Sequence, residues 1–250
     1  MDRVAATPSL PPLAEGHPCH GCAARALAVC GVLDADDLAT LRCRGGTVVV
    51  PAGQALFHQG DAATQVFNLT AGTLRLTKLL PDGRRQVLGF RFAGDFIGIG
   101  QGDHQSFTAE ALSQATLCRF SMSRFEEFGA AHPALGRALY RKAARELDAA
   151  QQQLLLLGRM SAAERLASFF LDLARRQNGE QGGPPHFVDL PMSRSDIADY
   201  LGLTKETISR LLAQFRAQRL LRLETLNRVE LLDPLALAAL AEGETQALAA

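Results

Sequence analysis

Much is missing from this 250-residue chain, and each absence narrows what it can be. Net charge is one: 26 Lys and Arg balance 26 Asp and Glu, so no overall field draws the protein to nucleic acid or to an anionic membrane, and any basic surface has to be local. Long apolar runs are another. No stretch approaches the roughly 20 residues that a bilayer requires, and the opening MDRVAATPSLPPLAEG lacks the apolar core of a signal peptide. A cytoplasmic protein with no membrane partner is expected. Catalytic constellations are a third. Neither a serine and histidine arrangement nor a phosphate-binding loop stands out, and the Cys-x2-Cys pair lacks the βαβ setting of a thiol oxidoreductase, so the chain does not read as an enzyme. Cysteine is scarce, at five residues. In a reducing compartment five thiols point to metal or redox chemistry or to plain burial, not to disulfides.

What is present is organised around residues 133–157, PALGRALYRKAARELDAAQQQLLLL, a run of strong helix formers with no Gly or Pro after Gly136. Leu139, Ala143, Leu147, Ala150, Leu154 and Leu157 make a narrow apolar stripe, the pattern of a coiled-coil seam between two chains. Lys142, Arg145 and Asp148 flank it. A buried amphipathic helix inside one domain would show a similar pattern.

Ahead of that helix, residues 1–18 read as a flexible N-terminus, rich in Pro and Ala. HPCHGCAARALAVC then places Cys19, Cys22 and Cys30 close together, and a short helix with an acidic first turn is predicted from Asp34. Gly46, Gly53, Gly60, Gly72, Gly83 and Gly94 recur every 7 to 12 residues between short runs such as TVVV and QVLGFRF. That spacing predicts an antiparallel roll over about 38–121. Asp82-Gly83 is expected at a hairpin, since both residues tolerate positive φ. A short helix over 123–131 leads into the long one.

After it, Ser161 and Glu164 form a capping-box pattern that starts a helix running to about Gln177. In MSRSDIADYLGLTKETISRLLAQFRAQRLL, Ser193 and Asp196 cap a first helix, Gly202 ends it, and Thr204 caps a second. Ala198 permits a close crossing, and Ile208 with Leu201, Leu203 and Leu211 supplies the core, which together specify a helix-turn-helix. The second helix displays Lys205, Glu206, Ser209 and Arg210. Glu206, Ser209 and Arg210 share a face by their i, i+3, i+4 spacing. Arg210 suits guanine O6 and N7, Glu206 suits cytosine N4, and Ser209 can take either role. Between 204 and 228 six basic residues (Lys205, Arg210, Arg216, Arg219, Arg222 and Arg228) face two acidic ones, which supplies charge for DNA phosphates. LLRLETLNRVELL follows as a two-stranded wing. The fold class is therefore α+β. A cysteine loop and β-roll sensor domain covers 19–132, a dimerisation helix 133–158, and a winged helix-turn-helix domain 159–250.

A Gly-punctuated roll, a long helix and an ETISRLL recognition helix, in that order, resemble the CRP/FNR family of bacterial transcription regulators. The likeness runs from about Cys19 to the wing. It implies a homodimeric activator that meets RNA polymerase and double-stranded DNA, with Glu206, Ser209 and Arg210 reading TTGAT-like half-sites in an inverted repeat. Lys205 stands where the FNR branch often carries a small apolar residue, which bears on the outermost bases.

The resemblance offers two effectors. Members that take a cyclic nucleotide hold its phosphate with a buried Arg, whereas residues 94–118 here contain no Arg or Lys and three carboxylates, Asp95, Asp103 and Glu110. A cyclic nucleotide is not expected. Cys19, Cys22 and Cys30, with Cys118 as a fourth donor, suit a 4Fe-4S cluster, although four thiolates suit tetrahedral zinc as well. The Cys-x2-Cys-x7-Cys spacing resembles a subgroup of the oxygen-sensing FNR branch, and implies a cluster that is intact without oxygen and favours the dimer. A zinc or small-ligand regulator and a redox-active thiol protein are the alternatives. Cys43 is expected to be a buried structural thiol, with a substitute ligand as the alternative, and His17 and His20 to be solvent-exposed, with His20 as an alternative fourth donor.

Overall fold

The structure is a computed structural model and describes residues 10, 13–98, 102–178 and 187–243. They fall into two compact units: residues up to 76 together with 90–146, and residues 77–89 together with 147 onward. This division cuts the long helix between 146 and 147 and moves a hairpin tip into the C-terminal unit, in place of the expected boundaries at 132 and 158. Most of the N-terminus expected to be flexible lies outside the described residues, but Leu13 packs on the core.

In the first unit the chain makes a series of turns through the cysteine loop and a 3-10 turn (Val29–Val32) before helix α1 (Ala35–Cys43). Asp34 caps α1 as its sequence predicts, its Oδ1 accepting from the Asp37 N–H at 2.8 Å. Because α1 occupies the chain to 43, the roll starts at β1 (Gly45–Val50) and not near 38. β2 (Ala55–Phe57), β3 (Gln65–Ala71), β4 (Leu74–Leu79), β5 (Arg85–Arg91), β6 (Phe96–Ile97), β7 (Thr108–Ala111) and β8 (Ala115–Ser121) complete it. The sheet orders are β1-β8-β3-β6 and β2-β7-β4-β5. Between β4 and β5 only Gly83 takes positive φ, at 85°. The Gly83 N–H returns to the Leu80 carbonyl at 2.9 Å, so Pro81 and Asp82 occupy a type I turn that Gly83 closes.

β3 is covered on both faces, and its alternation sorts two cores. Phe67 and Leu69 join Leu74, Leu76 and Leu117 in one. Val66 faces the other, which gathers Val29 and Leu33 from the cysteine segment, Leu38 and Leu41 of α1, Phe125 and Phe128 of α2 (Met122–Ala131), and Leu135 and Ala138 of α3 (Pro133–Arg159). Each such burial of a large apolar side chain contributes roughly 1.5–3 kcal/mol. The ligand-bearing segment and the start of the long helix thus share one core. Leu139, expected on the seam, packs against this core too. Lys142, expected beside the seam, donates to Asp95 Oδ1 at 2.7 Å, and Arg91 pairs with Glu146 at 3.3 Å.

The second unit opens its fold on α4 (Ala162–Asn178), whose capping box is made as predicted: Glu164 Oε2 accepts from the Ser161 N–H at 2.9 Å and Ser161 Oγ from the Glu164 N–H at 3.4 Å. The loop expected before Phe187 lies almost wholly outside the described residues. β9 (Phe187–Asp189), α5 (Arg194–Leu201), α6 (Lys205–Ala217), β10 (Leu221–Thr225), β11 (Arg228–Leu231) and α7 (Pro234–Ala241) follow. The wing has three strands, not two, in the order β10-β11-β9. α7 packs on α4 through the buried Leu237 and Leu240.

Candidate functional site: recognition helix and thiol cavity

The recognition helix α6 is set by local chemistry. α5 starts on a complete Ser193 and Asp196 capping box and ends at Gly202, whose φ of 63° is the left-handed geometry a C-terminal glycine supplies. Thr204 Oγ1 accepts from the Thr207 N–H at 3.2 Å and starts α6. Ile197, Leu201, Ile208 and Phe215 are fully buried, and Ala198 nearly so. Lys205, Glu206, Ser209, Arg210 and Arg216 are all exposed, as a DNA-reading surface requires. Ser209 donates its hydroxyl to the Lys205 carbonyl at 2.9 Å, leaving its lone pairs as acceptors. The basic surface is narrower than the sequence count. Arg222 is held by Glu224 at 2.6 Å and Glu230 at 2.5 Å, while Arg228 pairs with Asp189 at 3.7 Å and lies over the Phe187 ring. Phosphate-directed charge therefore rests on Lys205, Arg210, Arg216 and Arg219.

A brace behind α5 was not visible in the sequence. Arg165 of α4 donates to three carbonyls, Met160 at 2.9 Å, Leu157 at 3.0 Å and Leu201 at 3.0 Å. It fastens the end of α3 to the last turn of α5. Gln153 donates to the Tyr200 carbonyl at 2.8 Å. From the β4–β5 hairpin, Arg85 reaches Asp199 at 2.5 Å and Asp196 at 3.1 Å, and Gln86 reaches the Asp199 carbonyl at 2.7 Å. A motif search finds the capping box but has no signal for partners this distant in sequence.

The cysteines meet in the first unit. Cys19, Cys30 and Cys118 line a cavity of about 20 Å³ whose remaining wall is apolar apart from Arg42 and Asn68. Cys22 opens onto an adjoining hollow that it shares with Cys19, His20 and Arg25. Among the described residues no three His, Cys, Asp or Glu side chains are placed to grip one metal ion. Burial pushes the Cys30 thiol up to about 12. Burial also raises Cys19 and Cys118, against the pull of the Arg42 guanidinium on both.

Cys118 sits in β8 with Thr47 of β1 opposite on one side and Asn68 of β3 on the other, and Phe96 of β6 lies beyond Asn68. Arg42 donates to Thr47 Oγ1 at the rim. Asn68 is 4% exposed, and among the described residues its Oδ1 has no hydrogen-bond partner. A buried amide left so costs roughly 1–3 kcal/mol.

Cys43 is exposed, at the end of α1, where it turns away from the core, so the expectation of a buried structural thiol was wrong. His17 is half-buried, not solvent-exposed. Its Nδ1 accepts from the Cys19 N–H at 3.0 Å, which leaves Nε2–H to donate to the Ala35 carbonyl at 2.9 Å and so fixes the tautomer. His20 is exposed as expected.

On the stripe of α3, Leu147 and Leu154 are 60% and 72% exposed. Ala150 is also exposed, and Ala143 and Leu157 are half-buried. Tyr140, 76% exposed, stands one heptad before Leu147, the position that Leu139 leaves by turning to the core.

Two family models cover most of the chain: a cyclic nucleotide-binding domain over residues 47–132 and a Crp-like helix-turn-helix domain over 164–240. The chain is 41% identical over 227 residues to the nitrogen fixation regulation protein FixK of Bradyrhizobium diazoefficiens, covering 91% of this chain and 95% of that protein. It is 40% identical over 221 residues to the transcriptional activatory protein AadR of Rhodopseudomonas palustris, covering 88% and 92%. Its structure is similar to that of FixK2 from Bradyrhizobium japonicum, with a TM-score of 0.72 at 33% identity over 78% of this chain and 96% of the other.

Proposed function

This chain belongs to the CRP/FNR family of DNA-binding transcription regulators, and from that premise we propose that it is an oxygen-responsive homodimeric activator holding a 4Fe-4S cluster on Cys19, Cys22, Cys30 and Cys118. The gathering of Cys19, Cys30 and Cys118 around one cavity, with Cys22 at the next hollow, is the observation that carries this reading. The donor set supports it in two further ways. Four thiolates are the donor set that a 4Fe-4S cluster takes, and the chain gathers four cysteines in this region. The apolar wall keeps water from the site, and Arg42 offsets negative charge there.

When bound, the cluster supplies an oxygen-labile link among four thiolates. Everything else is done by the chain. Val29 and Leu33 of the ligand segment pack with Leu135 and Ala138 of α3, so ordering that segment firms the helix start. The exposed leucines of α3 then pair with those of a second chain, and two copies of α6 meet an inverted repeat of TTGAT-like half-sites. A few kcal/mol are enough to move a near-balanced monomer–dimer equilibrium. The roll does not favour a cyclic nucleotide, because Glu110 is occupied by Arg75 at 2.7 Å and Asp95 by Lys142, which leaves no cation committed to a phosphate among these four. RNA polymerase is the proposed protein partner.

Anaerobic purification tests the proposal. A brown protein with about four irons per chain that binds the inverted repeat, and loses iron and binding together in air, is the expected result. A colourless protein carrying one zinc per chain would refute it.

A further inference from the structure

Resting on the cluster reading above, we infer that Asn68 is a hydrogen-bond donor to the sulfur of that site, through a carboxamide held directly across the β3–β8 ladder from Cys118.

Three independent observations converge on it. The first is register: Asn68 and Cys118 are ladder partners in an antiparallel pair, so their side chains leave the sheet on the same face with Cβ atoms about 4.5–5.5 Å apart. The second is setting. Around Asn68 stand the buried apolar side chains of Val66, Phe96 and Phe120, and Asn68 lines the same cavity as Cys19, Cys30 and Cys118. The third is the deficit. Its Oδ1 is buried and without a partner among the described residues, where most buried polar atoms are paired.

The chemistry follows from what a carboxamide offers. Rotating the side-chain amide by 180° exchanges its oxygen and nitrogen, so the same residue can aim an N–H into the cavity. Thiolate and sulfide sulfur accept such bonds and donate none. An N–H directed at the Cys118 sulfur or an adjacent sulfide withdraws electron density from it, raises the potential at which the cluster is oxidised, and slows its loss to oxygen. Asn68 acts here by contact with sulfur, not as a ligand to iron.

The test compares wild type with Asn68→Leu, which keeps the branched shape with bulkier ends and removes the donor, and with Asn68→Ala as a second variant. In the metal-free protein Asn68→Leu should raise the melting midpoint, because an unsatisfied buried amide is removed. In the iron-loaded protein the same change should shorten the half-life of the visible absorption in air about three- to tenfold, and abolish the shift of the iron–thiolate Raman band seen on transfer to D2O. A residue of purely structural importance would lower both stabilities together and overturn the assignment. So would a Leu variant whose cluster has wild-type lifetime and wild-type D2O sensitivity. A wild type that takes up no iron would overturn the cluster reading and this role with it, whereas iron-loaded wild type and variant that match would overturn this role alone.

Discussion

Arg165 Nη1 and the carbonyl of Leu201 stand 3.0 Å apart, and that bond joins α4, the helix after α3, to the residue immediately before the helix-turn-helix glycine. Gly202 completes the arrangement. A Cβ there would come within 3.2 Å of Leu157 Cδ2 and 3.5 Å of Arg165 Nη1, so its lack of a side chain serves packing as well as the turn. Arg165→Ala removes three charge-assisted bonds at once and should cost about 3 kcal/mol in urea unfolding, against about 1 kcal/mol for Gln153→Ala. An Arg165→Ala protein with the wild-type unfolding midpoint would show the brace to be idle.

DNA reading separates by residue. Arg210→Ala should weaken binding to the inverted repeat by about 1–3 kcal/mol while barely changing affinity for random DNA. Arg216→Ala should weaken both alike and lower the slope of log K against log salt by roughly 1. Equal losses on both DNAs for Arg210→Ala, measured by fluorescence anisotropy, would strip it of a base-reading role.

The seam prediction concerns oligomeric state. Ala150→Leu adds apolar area at a heptad position and should shift the monomer–dimer equilibrium toward dimer even in a Cys118→Ala background, whereas Leu154→Ala should shift it the other way. Sedimentation velocity at matched concentrations reads this. If Cys118→Ala alone remained as dimeric as wild type, the thiol cavity would have no part in pairing.

Thiol chemistry gives a pH prediction for the metal-free protein. Cys30 titrates near 12 when folded and near the ordinary 9.0 when unfolded. As pH rises past 9 the unfolded chain therefore releases its proton first. Stability is fully present below pH 9 and falls as pH rises toward 12. Urea midpoints at pH 8 and pH 10.5 should show the decline, and Cys30→Ala should flatten it. In the same protein at pH 8, the exposed Cys43 should alkylate fastest and Cys30 slowest, as mass spectrometry of timed samples would show.

The legible parts of the chain were those that act within a few residues. The caps at Asp34, Ser161, Ser193 and Thr204, the ending at Gly202 and the turns at Gly53, Gly60, Gly72, Gly83 and Gly94 all report local backbone needs and are met where the sequence predicts them, whereas Gly46 lies inside β1. The misses are tertiary. β9 is three residues long and becomes a strand only by pairing with β11. Leu139 and Tyr140 are adjacent, both fit an apolar helix position, and only packing assigns the first to the core and the second to the surface. A seven-residue count through Tyr140, Leu147 and Leu154 picks out apolar positions that are exposed. Asn68 looked like any polar residue in a strand, since nothing local reveals that its ladder partner is a cysteine.

The first half of α3 is keyed like a shaft. Leu139 packs against the core, Lys142 is tied to Asp95 and Glu146 to Arg91, so about two turns of the helix are fixed in azimuth against the roll. Torque applied here would have to break two ion pairs and expose a leucine before the helix rolled at all. A signal from the thiol cavity is therefore ill suited to travel as a twist of the helix about its own axis. On the proposed reading it would be expressed instead as how firmly the exposed leucines of α3, from Leu147 onward, grip a second chain, which would make this regulator a clutch and not a crank.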